Sequence, residues 1–273
     1  MVSSEQRRKQ LAREKYLRQQ QRRAEARRKA RIRNAAIAGG LALVLAAGGA
    51  YAAAGGLAAD DEKKSDSATA EPSAAATSKA PDPCEKPAKG KPGDKQWKKE
   101  PKMSIDTSAS YTMKLETTCG DIEVELDAAE APRTVNSFEF LAGEGYFDHT
   151  KCHRLVTEGI HVLQCGDPTA TGTGGPGYKF EDENLDDPRV KDGTYPAGTV
   201  AMANSGPDTN GSQFFLVYKD SKLPPNYTPF GTVTKGMDVL EKIAEAGSTM
   251  DPQTGNTPPN ATVVIDRATV SKG

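Results

Sequence analysis

Of the residues in this 273-residue chain that could do chemistry, the histidines are the first to test, and there are three: His149, His153 and His161. No HExxH or CxxC spacing accompanies them. Cys152-His153 with Cys165 is the nearest approach to a zinc set. Metal sites of that kind usually want two close pairs, and no second pair exists, so no metal is expected. Ser205 and Ser212 lie in turn-rich sequence without the Gly-x-Ser-x-Gly context of a strained nucleophile. Gly172-Thr-Gly174-Gly-Pro-Gly177 matches GxGxxG, but Pro176 lacks a backbone donor. The acidic YKFEDENLDDP that follows is not a phosphate-cradling helix start, so the match reads as a tight surface loop.

Arg154 is more informative. It lies between Cys152-His153 and Leu155-Val156 in an apolar strand, where an arginine either pairs with a carboxylate or lines a site. The next strand supplies Gln164, two residues after Val162. A third contribution comes from Ala201 to Tyr218, AMANSGPDTNGSQFFLVY. Its Gly, Pro, Asp and Asn residues are turn chemistry. The following Gln213 to Tyr218 alternates, with Gln213, Phe215 and Val217 on one face and Phe214, Leu216 and Tyr218 on the other. Both faces are apolar, so one is expected in the core and the other as the floor of a groove. Arg154, Gln164, Asn204, Gln213 and Phe215 together describe a groove that hydrogen-bonds a peptide backbone and holds one apolar side chain.

The elements that must position these residues can be read along the chain. Tyr111–Glu116 and Asp121–Asp127 alternate around Thr117-Thr118-Cys119-Gly120 and predict an antiparallel hairpin. Ala131-Pro132 opens a helix that Gly143 and Gly145 end, with Val135, Phe138 and Leu141 on one side. Short strands are expected at 153–156, 162–163, 198–203, 213–218, 230–234 and 261–270, and a second helix at 237–246. Many short strands with two helices indicate a mainly β barrel or sandwich capped by helices.

Ahead of this domain the composition changes three times. Residues 1–33 hold 13 Lys/Arg against 3 Asp/Glu, a charge of +10, although the whole chain sums to −1. Residues 1–34 read as a basic cytoplasmic tail, with no specific nucleic-acid role. Residues 35–59 are uncharged, and their 25 residues exceed the ~20 a membrane span needs. The basic block before them and Asp60, Asp61 and Glu62 after them orient this segment as a single-pass signal anchor, N-terminus in the cytoplasm. Residues 60–108 are Ala-, Ser-, Pro-, Lys- and Gly-rich and read as a disordered linker. Residues 109–273 are then an extracytoplasmic folded domain.

At CHRLV…VLQCGD, GTGGPGY…FEDEN, MANSGPDTNGSQFF and LPPNYTPFG the sequence resembles the cyclophilin-type peptidyl-prolyl cis-trans isomerases, in the form found in bacterial members. The resemblance runs from about Tyr111 to Val270. It implies a closed eight-stranded antiparallel β-barrel with two capping helices, proline-containing polypeptides as substrates, no cofactor, and a monomer. By position it implies Arg154 and Gln164 as catalytic residues. It implies substrate-binding roles for His161, Val162, Ala203, Asn204, Gln213, Phe215, Leu223 and Tyr227. His161 stands where a pocket phenylalanine is expected, Tyr227 replaces a histidine, and Lys222 stands where eukaryotic members carry a tryptophan that binds cyclosporin. A membrane-tethered peptide-binding or chaperone module with little turnover is the alternative, and His161 is its motive.

Four cysteines, Cys84, Cys119, Cys152 and Cys165, allow three pairings outside the cytoplasm. Cys152–Cys165 is favoured because both lie at the ends of adjacent strands, which leaves Cys84–Cys119 to pin the linker to the barrel. Parity opposes this. If Arg154 and Gln164 share a face, Cys152 shares it and Cys165 does not, so the strand must end or bulge nearby.

Overall fold

A computed structural model describes residues 82–190 and 192–273. Among them no helix is long and apolar enough to cross a membrane; the tail, the expected anchor at 35–59 and the linker as far as residue 81 lie outside the described residues. Strands β1 (Tyr111–Thr117) and β2 (Gly120–Leu126) form the predicted hairpin, paired from Tyr111↔Leu126 to Thr117↔Gly120. Gly120 has φ 128° at the turn, a backbone conformation that suits glycine. The alternation buries Met113 and Leu115 opposite Val124 and Ile122.

Helix α1 (Pro132–Gly143) begins at the expected proline, whose missing N–H costs nothing in the first turn. Ala131 has no side chain to cap it. Glu183 does so from a distant loop, its carboxylate accepting from the N–H groups of Arg133 (3.0 Å) and Thr134 (2.8 Å) and from the Thr134 hydroxyl (2.8 Å). A carboxylate there satisfies orphan donors and complements the helix dipole. The acidic stretch after the glycine loop is therefore partly a helix cap.

The remaining elements are β3 (Thr150–Lys151), β4 (Arg154–Val156), β5 (Val162–Cys165), β6 (Thr194–Tyr195), β7 (Thr199–Met202), β8 (Phe214–Val217), β9 (Ser221–Lys222), β10 (Pro229–Lys235), α2 (Met237–Glu245) and β11 (Val264–Lys272). Nine strands make one curled antiparallel sheet in the order β3-β11-β1-β2-β10-β7-β8-β5-β4, and β6 pairs with β9 apart from it. This corrects the expected closed eight-stranded barrel. The outer strands β3 and β4 do not pair with each other. They are consecutive in the chain, separated by Cys152 and His153 alone. Cys152 N–H donates to Val263 O beside β11, and His153 N–H donates to Gln164 O of β5. One stretch of chain thus crosses from one edge of the sheet to the other.

The core inside the curl contains Leu115, Val124, Phe138, Leu155, Leu163, Phe214, Leu216 and Phe230. Phe138 sits at its centre, with Phe230, Phe147 and Phe214 at ring-centroid distances of 4.6, 5.2 and 5.4 Å.

Residues 82–108 contain no helix or strand, as their composition suggests, but they are not detached from the domain. Cys84 is bonded to Cys119, and Glu85 N–H donates to Thr118 O (2.7 Å). Trp97 lays its ring against Phe140 (5.1 Å) and Tyr146 (5.8 Å), and its backbone N–H donates to Pro176 O (2.8 Å). Ile105 and Ala109 pack on the core. The ordered structure therefore begins well before residue 109: a strap of low-complexity sequence wraps the sheet, held by one covalent bond and one aromatic anchor.

The Cys84–Cys119 bond closes 35 residues of chain. Replacing both cysteines with serine under oxidising conditions is expected to cost about 2–4 kcal/mol of unfolding free energy, most of it loop-closure entropy in the unfolded chain. Denaturant unfolding measures this. An unchanged midpoint would mean that the crosslink adds nothing to stability.

Candidate active site

The groove is built where β4, β5 and β8 lie side by side. Their register pairs Arg154 with Gln164 and Gln164 with Phe215. Alternation on β8 divides as predicted: Phe214 and Leu216 enter the main core, while Phe215 and Val217 join a separate apolar cluster with Val162, Tyr195 and Ala201. That second cluster underlies a small slot of about 120 Å³ lined by Arg154, Ile160, Val162, Gln164, Ala203, Asn204, Phe215, Leu223 and Tyr227.

The polar groups form a directed row. Arg154 Nη1 donates to Gln164 Oε1 (3.2 Å), Gln164 Nε2 donates to Gln213 Oε1 (2.9 Å), and Gln213 Nε2 donates to Gly174 O (2.9 Å). Each amide is oriented by the next, so the row fixes the position of the guanidinium. Arg154 makes no ion pair among the described residues and is only partly buried. Of the two sequence readings of this arginine, the geometry gives the one in which it lines a site. Its remaining N–H donors are available at the slot.

The slot's outer wall is the segment from Leu223 to Tyr227. Tyr195, which the sequence reading passed over, holds it from below: its buried hydroxyl donates to Tyr227 O (2.8 Å) and accepts from Tyr227 N–H (3.3 Å). Burial pushes the Tyr195 hydroxyl up to about 12, so it stays a neutral donor. Tyr227 meets Phe215 edge-on at 5.6 Å. Asn204 donates from Nδ2 to Asn226 O (2.7 Å), so its side chain braces the wall, and only its other groups can face a bound chain.

His161 does not line the slot. Its ring packs edge-on to Tyr218 at 5.7 Å, and its backbone N–H donates to Ser221 Oγ (2.8 Å). Ile160 occupies the position assigned to it. Ile160 and His161 precede β5, which begins at Val162, so strand alternation does not set their directions.

A second depression of about 480 Å³ adjoins the slot, sharing Gln164, Ala203 and Asn204 and continuing along Gly174–Lys179. Buried Asp167 organises this loop. Its carboxylate accepts from the N–H groups of Thr169 (2.8 Å), Gly172 (2.7 Å) and Gly174 (3.0 Å) and from the Thr169 hydroxyl (2.7 Å). Burial alone would raise its pKa, but the Thr169 hydroxyl and those N–H groups hold it below the usual carboxylate value. A Cβ on Gly174 would overlap Asp167 Oδ1, so a side chain at 174 would break the arrangement. The GxGxxG match is thus a carboxylate-centred turn, with Gly174 presenting its carbonyl to Gln213.

Both favoured disulfides are present, Cys152–Cys165 and Cys84–Cys119. The parity obstacle disappears because β4 starts only at Arg154. The crossing at Cys152-His153 is not strand, so Cys152 turns into the core where Cys165 already points.

The scan against family models matches residues 112–270 to the cyclophilin type peptidyl-prolyl cis-trans isomerase/CLD family, and the chain belongs to that family. It is 52% identical over 167 residues to a probable peptidyl-prolyl cis-trans isomerase B of Mycobacterium leprae, covering 58% of this chain and 56% of the relative. The Mycobacterium tuberculosis protein of that description is 51% identical over 148 residues, covering 51% and 48%. The chain thus spans about half the length of these curated relatives. Among solved structures, a Cryptosporidium parvum cyclophilin type peptidyl-prolyl cis-trans isomerase superposes with a TM-score of 0.50 at 29% identity, covering 60% of this chain and 99% of that one.

His153, beside the guanidinium, is 5% exposed, and neither ring nitrogen has a hydrogen-bond partner. Burial lowers its pKa; Asp167 pulls it back up and Arg154 pushes it further down. Because the folded value lies below the unfolded one, stability is complete above about pH 6.5 and is lost as pH falls below it. Unfolding midpoints at about pH 7.5 and about pH 5.5 are expected to differ less in His153→Phe than in the parent. An undiminished difference would assign the pH dependence to other groups.

Proposed function

We propose that this protein is a peptidyl-prolyl cis-trans isomerase acting on polypeptides outside the cytoplasm, tethered to the membrane by residues 35–59. Family membership supports the reaction. The observation that carries the mechanism is the aimed, unpaired guanidinium at the mouth of an apolar slot.

A peptide bond resists rotation by ~18–20 kcal/mol because nitrogen donates into the carbonyl. At X–Pro both isomers are populated, and exchange takes tens to hundreds of seconds. A twisted amide loses that resonance, becomes less dipolar, and returns a lone pair to nitrogen. Val162, Phe215, Leu223 and Tyr227 would grip the proline ring in a dry setting that disfavours the polar planar forms. Ala203, Asn204 and Gln213 would hold the adjoining backbone. Arg154, aligned by Gln164, would then donate to the nitrogen as it becomes basic, binding the twisted state better than either planar one. An acceleration of about 10⁵ requires about 7 kcal/mol, and one charged hydrogen bond supplies ~1.5–3 kcal/mol. Desolvation and positioning supply the remainder. No bond breaks, so the scheme calls for no nucleophile and no cofactor.

Two disulfides in the domain, the basic residues 1–33 and the uncharged residues 35–59 support the location. The binding-only alternative drew on His161, which is not among the residues lining the slot, so the isomerase reading is the better supported. Exposed Lys222, next to Leu223, supports weak sensitivity to cyclosporin.

In the full-length chain, Arg154→Ala is expected to lower kcat/KM on a short prolyl peptide about 10- to 150-fold, the loss of one charged hydrogen bond. The melting temperature should barely move, since the side chain makes no ion pair. Near-normal turnover would refute the catalytic role, and a large fall in melting temperature would make it structural.

A further inference from the structure

The strap does more than brace the sheet. Gln96 lines the second depression, opposite Gly174–Lys179. Past Gly177, Tyr178 and Lys179 that depression continues into a third, of about 830 Å³, whose far side is the strap from Lys98 to Met103. Slot, second depression and third depression share walls in turn, and a polypeptide seated by its proline would reach the third by crossing over the contact of Trp97 with Pro176 and Gly177.

The chemistry of the third depression is one-sided. Lys98, Lys99, Lys102 and Lys179 are exposed and make no ion pair among the described residues. Arg133 at its floor pairs with both Glu100 and Glu181, each at 2.7 Å, so those two acids exceed the guanidinium by one charge and the four lysines still leave the rim positive. Met103 is 50% exposed beside them, one of two large apolar side chains so placed among the described residues. A rim of four ammonium groups with a net positive charge around an open thioether suits a chain that brings carboxylates and an apolar side chain.

We propose that the strap turns the groove into an extended site selective for proline segments flanked by acidic residues, with Lys98, Lys99, Lys102 and Lys179 as the specificity-determining cations. This rests on the isomerase reading and adds a substrate class to it. A flat anionic lipid surface fits less well, because the lysines rim a hollow continuous with the proline slot.

The test uses the full-length chain and one neutral prolyl peptide extended with Glu or with Gln, on the N-terminal flank in one series and the C-terminal flank in the other. Binding is followed through Trp97, the sole tryptophan, which sits next to Gln96. On one flank the Glu peptides are expected to show kcat/KM roughly three- to tenfold above their Gln counterparts, several exposed ion pairs acting together. The preference should fall with salt and drop to the small remainder that Lys179 alone can support in K98Q/K99Q/K102Q, which should turn over the unextended peptide normally. Equal rates for Glu and Gln on both flanks would overturn the proposal. So would a preference that survives undiminished in the triple variant, or lysine-dependent binding of phosphatidylglycerol vesicles without any Glu preference. Failure to turn over even the unextended peptide would instead sink the isomerase reading, and Trp97 titration would still compare Glu with Gln affinity.

Discussion

The architecture depends on a two-residue break in strand structure. Cys152 and His153 carry the chain from β3, on one edge of the sheet, to β4, on the other. Their N–H groups bond in opposite directions, one beside β11 and one to β5. Because the strand is interrupted there, Cys152 turns inward to its disulfide while Arg154, two residues on, faces out over the slot. An uninterrupted strand would have put Cys152 and Arg154 on the same face, and either the bond or the site would have been lost. The Cys152–Cys165 bond then joins the start of one site strand to the end of the other. The register Arg154↔Gln164 is set between a covalent link and a ladder.

From that register the rest of the site follows by alternation. Gln164 stands between Arg154 and Phe215, and Gln213 continues the polar row to the carbonyl of Gly174. Odd positions of β8 floor the slot and even positions fill the core, so one strand serves two apolar clusters. The loop around Asp167 adds the last member by presenting a backbone carbonyl where Gln213 needs an acceptor. The site is thus a consequence of strand pairing supplemented by one carboxylate-centred turn.

Much of this was legible in the sequence because strand periodicity is a local signal. The separation of Phe214 from Phe215, the hairpin, both helices and the grouping of Arg154, Gln164, Gln213 and Phe215 came from spacing, and the remaining site positions from family resemblance. What failed was what spacing cannot carry. That the outer strands β3 and β4 are joined by chain and not by a ladder depends on how far the sheet curls. His161 was assigned to the slot by position in a motif, but it lies in the loop before β5, where no strand alternation sets a side chain's direction. Tyr195 and Glu183 act across long stretches of chain, one under the slot wall and one at a helix start, and nothing near them in sequence announces it. Residues 82–108 misled through composition: their few apolar groups give no core of their own, yet Trp97 needs only the bed that Phe140 and Tyr146 already offer.

That bed has a practical corollary for anyone trimming the polypeptide. The family match starts at residue 112 and the first obvious strand at 111. A fragment cut there would keep three of the four cysteines, leaving the thiol of Cys119 without its mate on the outside of the fold. It would also uncover the rings of Phe140 and Tyr146. A lone thiol and, elsewhere on the fragment, a bare aromatic patch invite crosslinked pairs, and dimers of such a fragment would reflect the cut rather than the native molecule.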